Sequence, residues 1–293
     1  KDLFFNACKL RMRSDVEVAT SLSGGMDSSS VVATINHFKS TKENLDNTYF
    51  PHNTFILDYK NEKDNEVNYA KSVIENTDVN MKFVNLELNK IDPEEIIKSI
   101  YHHEAVLGDD GLGPWFIYKN IKENGIKVSI DGHGGDELLG GYSGYPRLAM
   151  QECNFPMSCF TWIDLLLIHL KMNDSSSQEG NNLKLISKKM LQFLKSKIIR
   201  QQKINENSYD FFTLKSTNSS ILPHEDISSL STFNKYLYID YHYKSMQVVL
   251  KKFDKLAMAH SVESRSPFLD WRLATYLFSL PTQAKIGNGF TKR

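Results

Sequence analysis

The stretch Ser23-Gly24-Gly25-Met26-Asp27-Ser28-Ser29-Ser30 constrains the fold more than any other, because of what stands on either side of it. Before it runs Val16 to Leu22, with Val16, Val18, Ala19 and Leu22 reading as a buried parallel strand; after it comes Ser28 to Lys39, which reads as a helix with Asp27 or Ser28 at its cap. The segment is therefore a turn placed at a helix N-terminus. Unpaired amide N–H groups and the positive end of the helix dipole face outward there, and Gly24 and Gly25 let the backbone approach an anion closely. Ser23, Ser28 and Ser29 add hydroxyl donors, and Asp27 sets a carboxylate beside the anion, which suits a pyrophosphate bridged by Mg²⁺. The plain alternative is an ordinary strand-to-helix turn, where glycine and serine are common.

The chain on either side alternates in the same way. Leu3 to Arg13 reads as a helix. Apolar strands at Thr54 to Leu57, Met81 to Leu86 and Ile126 to Ile130 then take turns with helices at Asn65 to Glu75, Pro93 to His103 and Trp115 to Glu123. Such alternation predicts an α/β fold with a doubly wound parallel sheet, whose ligands bind beyond the carboxyl ends of the strands near the switch point. The loops after Leu22 and after Ile130 both lie on that edge. Past about Tyr145 the strand signals fade, and helical patterns follow at Trp162 to Leu170, Leu183 to Lys203 and Phe233 to Ala259. The expected organisation is an α/β nucleotide-binding core over residues 1–145 and a mainly helical part over 146–293 that completes the site. Asn173 to Asn182, with Ser175-Ser176-Ser177, reads as a flexible connection. Leu183 to Ile204 carries seven Lys or Arg and no acid, which makes a solvated helix face or a surface for an acidic partner or peptide.

Composition narrows the classes. Lys+Arg and Asp+Glu balance at 35 each over 293 residues, so no global field points to nucleic acid or a membrane as partner. Cys8, Cys153 and Cys159 are too few and too irregularly spaced for a disulfide framework or a zinc site, and a cytoplasmic location is expected. Cys8 reads as a buried thiol in the first helix. No apolar run reaches the length of a membrane span. The start Lys1-Asp2-Leu3-Phe4 has neither an initiator methionine nor a signal-peptide core, and the end Phe290-Thr291-Lys292-Arg293 carries no tail signal, so the chain reads as a fragment of something longer.

Two further blocks stand out. Asp131-Gly132-His133-Gly134-Gly135-Asp136-Glu137-Leu138-Leu139-Gly140-Gly141-Tyr142 follows the strand ending at Ile130 and repeats the logic of the first loop, with Asp136 as a second carboxylate. Two acids on two adjacent loops suit one Mg²⁺. Ser261-Val262-Glu263-Ser264-Arg265-Ser266-Pro267-Phe268-Leu269-Asp270 reads by spacing as helix end, turn and next helix, with Pro267 as the break. No G-x-x-x-x-G-K-[ST] motif occurs. The Ser-Gly-Gly-x-Asp-Ser pattern resembles instead the PP-loop of ATP pyrophosphatases. The three blocks together, in this order, resemble the synthetase domain of the asparagine synthetase family, whose relatives include β-lactam synthetases and lasso-peptide macrolactam cyclases. Gly287-Asn288-Gly289-Phe290-Thr291-Lys292 resembles that family's next block.

The resemblance implies a five-stranded sheet of the adenine nucleotide α-hydrolase-like kind and an ATP-dependent ligase that adenylates a carboxylate and couples it to ammonia or an amine. By default the product is asparagine from aspartate. It carries ATP phosphate binding onto Ser23, Gly24, Gly25, Asp27 and Ser28, magnesium onto Asp27 and Asp136, and the adenine surroundings onto Leu22, Ile56 and the backbone of Asp131 and Gly132. Lys292 would stabilise charge on the departing pyrophosphate. ATP and Mg²⁺ are the implied cofactors. A carboxylate substrate, small or peptide, and a glutaminase domain or other ammonia source are the implied partners, and a homodimer is compatible with the family.

Two positions depart from the family pattern. His133 stands where asparagine synthetases usually carry glutamate and the ring-closing amide formers often carry tyrosine; a histidine there is a candidate general base for the attacking amine, or else a hydrogen-bonding loop residue. Leu107-Gly108-Asp109-Asp110-Gly111-Leu112-Gly113 stands near the family's substrate loop and lacks its arginine, and the two acids would repel a free aspartate. An intramolecular amide former, gripping a peptide with the basic helix, is therefore the main rival reading. A tRNA-modifying or sulfur-transferring PP-loop enzyme fits poorly with the neutral charge balance and scattered cysteines. A nucleotide-binding module without catalysis fits poorly with two acids and a lysine. Nothing in the chain resembles the family's glutaminase domain.

Overall fold

The structure, a computed structural model, describes residues 1–41, 53–59, 66–75, 77, 79–105, 109–153, 158–173 and 226–293. The basic stretch 183–204 and the polar stretch 174–182 lie outside the described residues. A five-stranded sheet is built from β1 (Val18–Ser21), β2 (Asn53–Tyr59), β3 (Asn80–Leu86), β4 (Val128–Ile130) and β5 (Glu263–Arg265), in the order β3-β2-β1-β4-β5. Every pairing is parallel, with Thr20 opposite both Thr54 and Ile130 and with Ile130 opposite Arg265. The chain steps outward from β1 through β2 to β3, then returns to the other side of β1 for β4. That reversal puts the switch point between the carboxyl ends of β1 and β4.

Helices follow the strands in turn: α1 (Asp2–Arg11), α2 (Met26–Ser40), α3 (Val67–Ile74), α4 (Pro93–His103), α5 (Asp109–Glu123) and the short α6 (Gly135–Leu139). Successive strand residues point to opposite faces, and the core divides accordingly. Val18, Val128 and Ile130 pack with Cys8, Val31, Ile35, Phe38, Phe268 and Leu273 on one side. On the other, Ala19, Phe55 and Val84 pack with Trp115, Tyr118, Ile121, Leu256 and Val262. Cys8 is buried in the first of these layers, and burial pushes its thiol up to about 12, which makes it inert.

The described chain forms two compact units: Lys1–Gly141 with Leu237–Pro281 and Lys292, and Tyr142–Tyr236 with Thr282–Thr291 and Arg293. The first contains the whole sheet, because β5 comes from the block at residues 261–270. Spacing alone reads that block as a helix end and a turn. Glu263-Ser264-Arg265 is an edge strand without apolar residues, so it carries no hydrophobic signal. The described residues of the second unit are mainly helical. In it Glu152 accepts from the Phe233 N–H at 2.5 Å and from the Thr282 hydroxyl at 2.6 Å, while the buried Lys285 ammonium donates to Asn234 Oδ1 at 2.7 Å. No described helix is long and apolar enough to cross a membrane.

Candidate active site

The loop after β1 is shaped by its hydroxyls. Leu22 continues the pairing with β2 by donating its N–H to Phe55 O at 2.9 Å, and the chain then turns through Gly24 at φ +81°. A Cβ on Gly24 would lie 2.7 Å from Ala70 N and from Tyr69 Cβ on α3, so no larger residue fits. The helix cap falls on Gly25, in extended geometry, rather than on Asp27 or Ser28. The reason is local. Ser23 Oγ takes the Gly25 N–H at 3.2 Å, while the Ser28 hydroxyl folds back to accept from the Ser23 N–H and to donate to Gly25 O, both at 3.2 Å. Asp27 thereby becomes the second residue of α2, with its carboxylate in the first helical turn, where the helix dipole favours negative charge.

The loop after β4 is laid directly on this turn. A Cβ on Gly132 would come within 2.7 Å of Ser28 N, so the backbones of the two loops touch. The contact directs Asp136, near the start of α6, toward the point that Asp27 also faces. Lys292 Nζ occupies that point, 2.7 Å from Asp27 Oδ2 and 2.7 Å from Asp136 Oδ1. Lys292 holds a left-handed φ of 52°, a strained conformation for a lysine, which the two ion pairs oppose. Burial acts against the charge on Lys292, yet the two carboxylates outweigh it and raise its pKa. For Asp27 burial dominates and raises the carboxyl, Lys292 holds it down, and Asp136 pushes it up again.

Asp131 performs a different task. Its side chain is 1% exposed and accepts four hydroxyl hydrogen bonds: from Ser21 at 2.5 Å and Ser129 at 2.7 Å on Oδ1, and from Tyr118 at 2.8 Å and Ser264 at 2.7 Å on Oδ2. These donors come from β1, β4, α5 and β5, so one carboxylate ties together the ends of three neighbouring strands. Sequence reasoning singled out the backbone of Asp131 and missed all four donors. The available signal was weak: Ser129 is a polar residue between Val128 and Ile130, and Ser21 follows Thr20 at the end of its strand. Burial and the Asp131 charge push the Tyr118 phenol well up, keeping it a neutral donor.

His133 lies against Phe253 with ring centroids 3.8 Å apart, and its Nε2 is 3.8 Å from Asp131 Oδ2. That nitrogen is buried and has no hydrogen-bond partner among the described residues. Burial lowers the pKa of the ring, and Asp131 opposes it only in part, so the imidazole is neutral at neutral pH. Leu22 and Ile56 are placed otherwise: their side chains are 2% and 1% exposed, in a cluster with Val32, Val67, Ala70 and Ile74. Only their backbone is left to face a ligand. Asp109, Gly111 and Gly113 fall in the first turns of α5, whereas Leu107 and Gly108 lie outside the described residues.

The first loop, the second loop and Lys292, distant in sequence, thus converge within one compact unit. The sequence matches the family described as asparagine synthase over residues 1–293. The chain belongs to the asparagine synthase family. Among individual relatives, asparagine synthetase [glutamine-hydrolyzing] 1 of Bacillus subtilis (strain 168) is 30% identical over 307 residues, covering all of this chain and 45% of that protein. A putative asparagine synthetase [glutamine-hydrolyzing] 2 of Methanocaldococcus jannaschii is 32% identical over 48% of this chain and 26% of its own length. Amidase chyE of Penicillium rubens is 31% identical over 50% of this chain and 22% of its own. The chain thus spans less than half the length of each of these relatives. The parallel five-stranded sheet and the helical C-terminal half agree with the family.

A divalent cation fits the donor set. Asp27 and Asp136 offer two hard carboxylates that converge on one point, and Mg²⁺ is commonly held by one or two carboxylates with substrate phosphates completing its shell. Among the described residues no third acid, histidine or cysteine joins them. The described residues would therefore supply only part of a coordination shell.

Proposed function

We propose that the chain is the synthetase part of an ATP-dependent amide ligase, which joins the α-phosphoryl group of ATP to a substrate carboxylate and passes the acyl group to an amine. The observation that carries this reading is the meeting of Asp27, Asp136 and Lys292 at one point beside a glycine turn at a helix N-terminus. Carboxylate attack on the α-phosphorus breaks the bond to the β-phosphate, giving an acyl-adenylate and pyrophosphate. The amine then displaces AMP and loses a proton. Ser23, the backbone of Gly24 and Gly25, and Ser28 would bind the phosphate chain, with Asp27 and Asp136 holding Mg²⁺. The ion would supply charge neutralisation for the departing pyrophosphate. Lys292 would exchange its carboxylate partners for phosphate oxygens, as a fixed cation at the bond that breaks. The backbone at Asp131 and Gly132 would border the nucleoside. His133, neutral and with Nε2 unpaired among the described residues, would take the proton from the attacking amine.

Aspartate is the default acceptor, following the names of the relatives, with ammonia from a glutaminase domain as its counterpart. An intramolecular amide former is the second reading, favoured by the arginine-free stretch 107–113 and by His133. ATP–pyrophosphate exchange measured with aspartate and with carboxylate-bearing peptides tests both. Exchange with aspartate supports the first and exchange with a peptide alone supports the second. ATP binding without exchange under any carboxylate would refute the ligase.

A further inference from the structure

A cleft of about 440 Å³ opens within the first unit, between α4, α5 and the end of the helix Ser245–Ala259. Its lining includes Lys98, His102, Trp115, Lys119, Lys122 and His260. None of these belongs to the site described above.

The polar groups of the cleft are accounted for unevenly. Glu95 is fully engaged: its carboxylate accepts the Trp115 indole N–H at 3.0 Å and pairs with Lys119 at 3.1 Å and Lys98 at 3.4 Å. Lys122, exposed in the last turn of α5, forms no ion pair among the described residues, and the rim acid Glu123 forms none either. His260 is the anomaly. It is 8% exposed, its ring meets Trp115 edge-on with centroids 4.2 Å apart, and its Nε2 is buried without a hydrogen-bond partner. A buried ring nitrogen left unpaired is destabilising, and a ligand atom at that position would recover the loss.

The sign of the local field says what kind of atom that is. Burial, then Lys122, Lys119 and His102, act to lower the His260 pKa, and Glu95 alone acts the other way, leaving it at about 4. The ring is therefore neutral at physiological pH, in a potential set by neighbouring cations. A neutral imidazole can carry its proton on Nε2, and together with the Lys122 ammonium, which has no ion pair among the described residues and lines the same cleft, it can form a donor pair for a negatively charged oxygen.

We propose that this cleft binds the oxyanion of a small metabolite, a phosphate or a carboxylate, with His260 Nε2–H and the Lys122 ammonium as its contacts and Trp115 as its floor. The site is separate from the nucleotide loops, although α5 borders both: Trp115 faces the cleft, and Tyr118, one turn on, donates to Asp131.

The test is a titration of the full chain with sodium phosphate, and separately with acetate, at ionic strength held constant with chloride. The imidazole nitrogens of His260 and the indole N–H of Trp115 report by NMR. A saturable shift of both reporters is expected with at least one of the two anions, and the anion that produces it identifies the chemical class. Half-saturation should rise at least about tenfold in Lys122→Gln, an exposed change that removes no packing, and in His260→Gln, read through Trp115. Ser28→Ala, in the nucleotide loop, should leave the shift in place. No saturable shift with either anion, a shift that chloride reproduces, unchanged half-saturation in Lys122→Gln, or loss of the shift in Ser28→Ala would each overturn the proposal.

Discussion

Replacing Lys292 by Met tests the core of the site, because it removes the cation and keeps most of the side-chain volume. In the wild type both carboxylates lie 2.7 Å from one nitrogen, so they are at most twice that distance apart. Without the ammonium they repel. Two unit charges about 5 Å apart interact by about 3 kcal/mol at an effective dielectric constant of about 20, and by less than about 1 kcal/mol in bulk water. The side chain of Asp27 is 12% exposed and that of Asp136 33%, which places the pair between those limits. A loss of about 2 kcal/mol at neutral pH is expected, short of the roughly 3–5 kcal/mol for breaking a fully buried pair. The pH dependence has a definite sign. Lys292 is what holds the Asp27 carboxyl down against burial and Asp136, so the variant raises its folded-state pKa further above the unfolded value. The folded chain then binds that proton more readily than the unfolded chain, and stability is lost as pH rises through the window between the two values. Urea unfolding should therefore show a smaller deficit at about pH 5 than at about pH 7.5. Nucleotide-free Mn²⁺ binding, followed by electron paramagnetic resonance, should tighten at least about tenfold, since no ammonium competes for the carboxylates. A variant as stable as the wild type at both pH values, or a deficit that grows toward acid, would refute the reasoning.

Asp131→Asn should cost about 2–4 kcal/mol in unfolding free energy, because an amide N–H₂ would face hydroxyls that now donate to a carboxylate; a melting temperature unchanged from wild type would count against the four-donor assignment. His133→Ala should slow amide formation more than pyrophosphate release in single-turnover experiments, and equal slowing of both steps would remove its role as base. A Cβ at Gly141 would fall on the Asp136 carboxyl and on Lys292 Cε. Gly141→Ala should therefore lower ATP–pyrophosphate exchange at least about tenfold while circular dichroism stays native, and full exchange would show that the three groups need not meet.

Much of the sheet was legible because β1, β2 and β4 bury apolar side chains and glycine turns follow β1 and β4. That pattern also located the switch point and hence the edge on which the site lies. β5 was not legible, since a polar edge strand of three residues looks like a turn until β4 is beside it. The helix cap was misread for a related reason: Ser28 and Asp27 are good capping types, but the Ser28 hydroxyl is already committed to Ser23 and Gly25. The clustering of Asp27 and Asp136 followed from two loops on adjacent strands. Lys292 was brought to the same phosphates only by the family resemblance, and its ion pairs with the two acids were not foreseen, because a pairing across 265 residues leaves no local periodicity. The Asp131 cluster was hidden in the same way, its donors lying as far as 133 residues away in sequence.

Asp131 stands close to His133, and a carboxylate beside an imidazole invites comparison with a proton relay. The four hydroxyl bonds on Asp131 argue for another division of labour. A carboxylate has about four lone-pair positions, and Ser21, Ser129, Tyr118 and Ser264 occupy them. Asp131 has no acceptor capacity left to orient His133 or to receive its proton. If His133 serves as the proposed base, the proton it takes up would have to leave by a route other than Asp131, so product departure and resetting of the base would be one event rather than two.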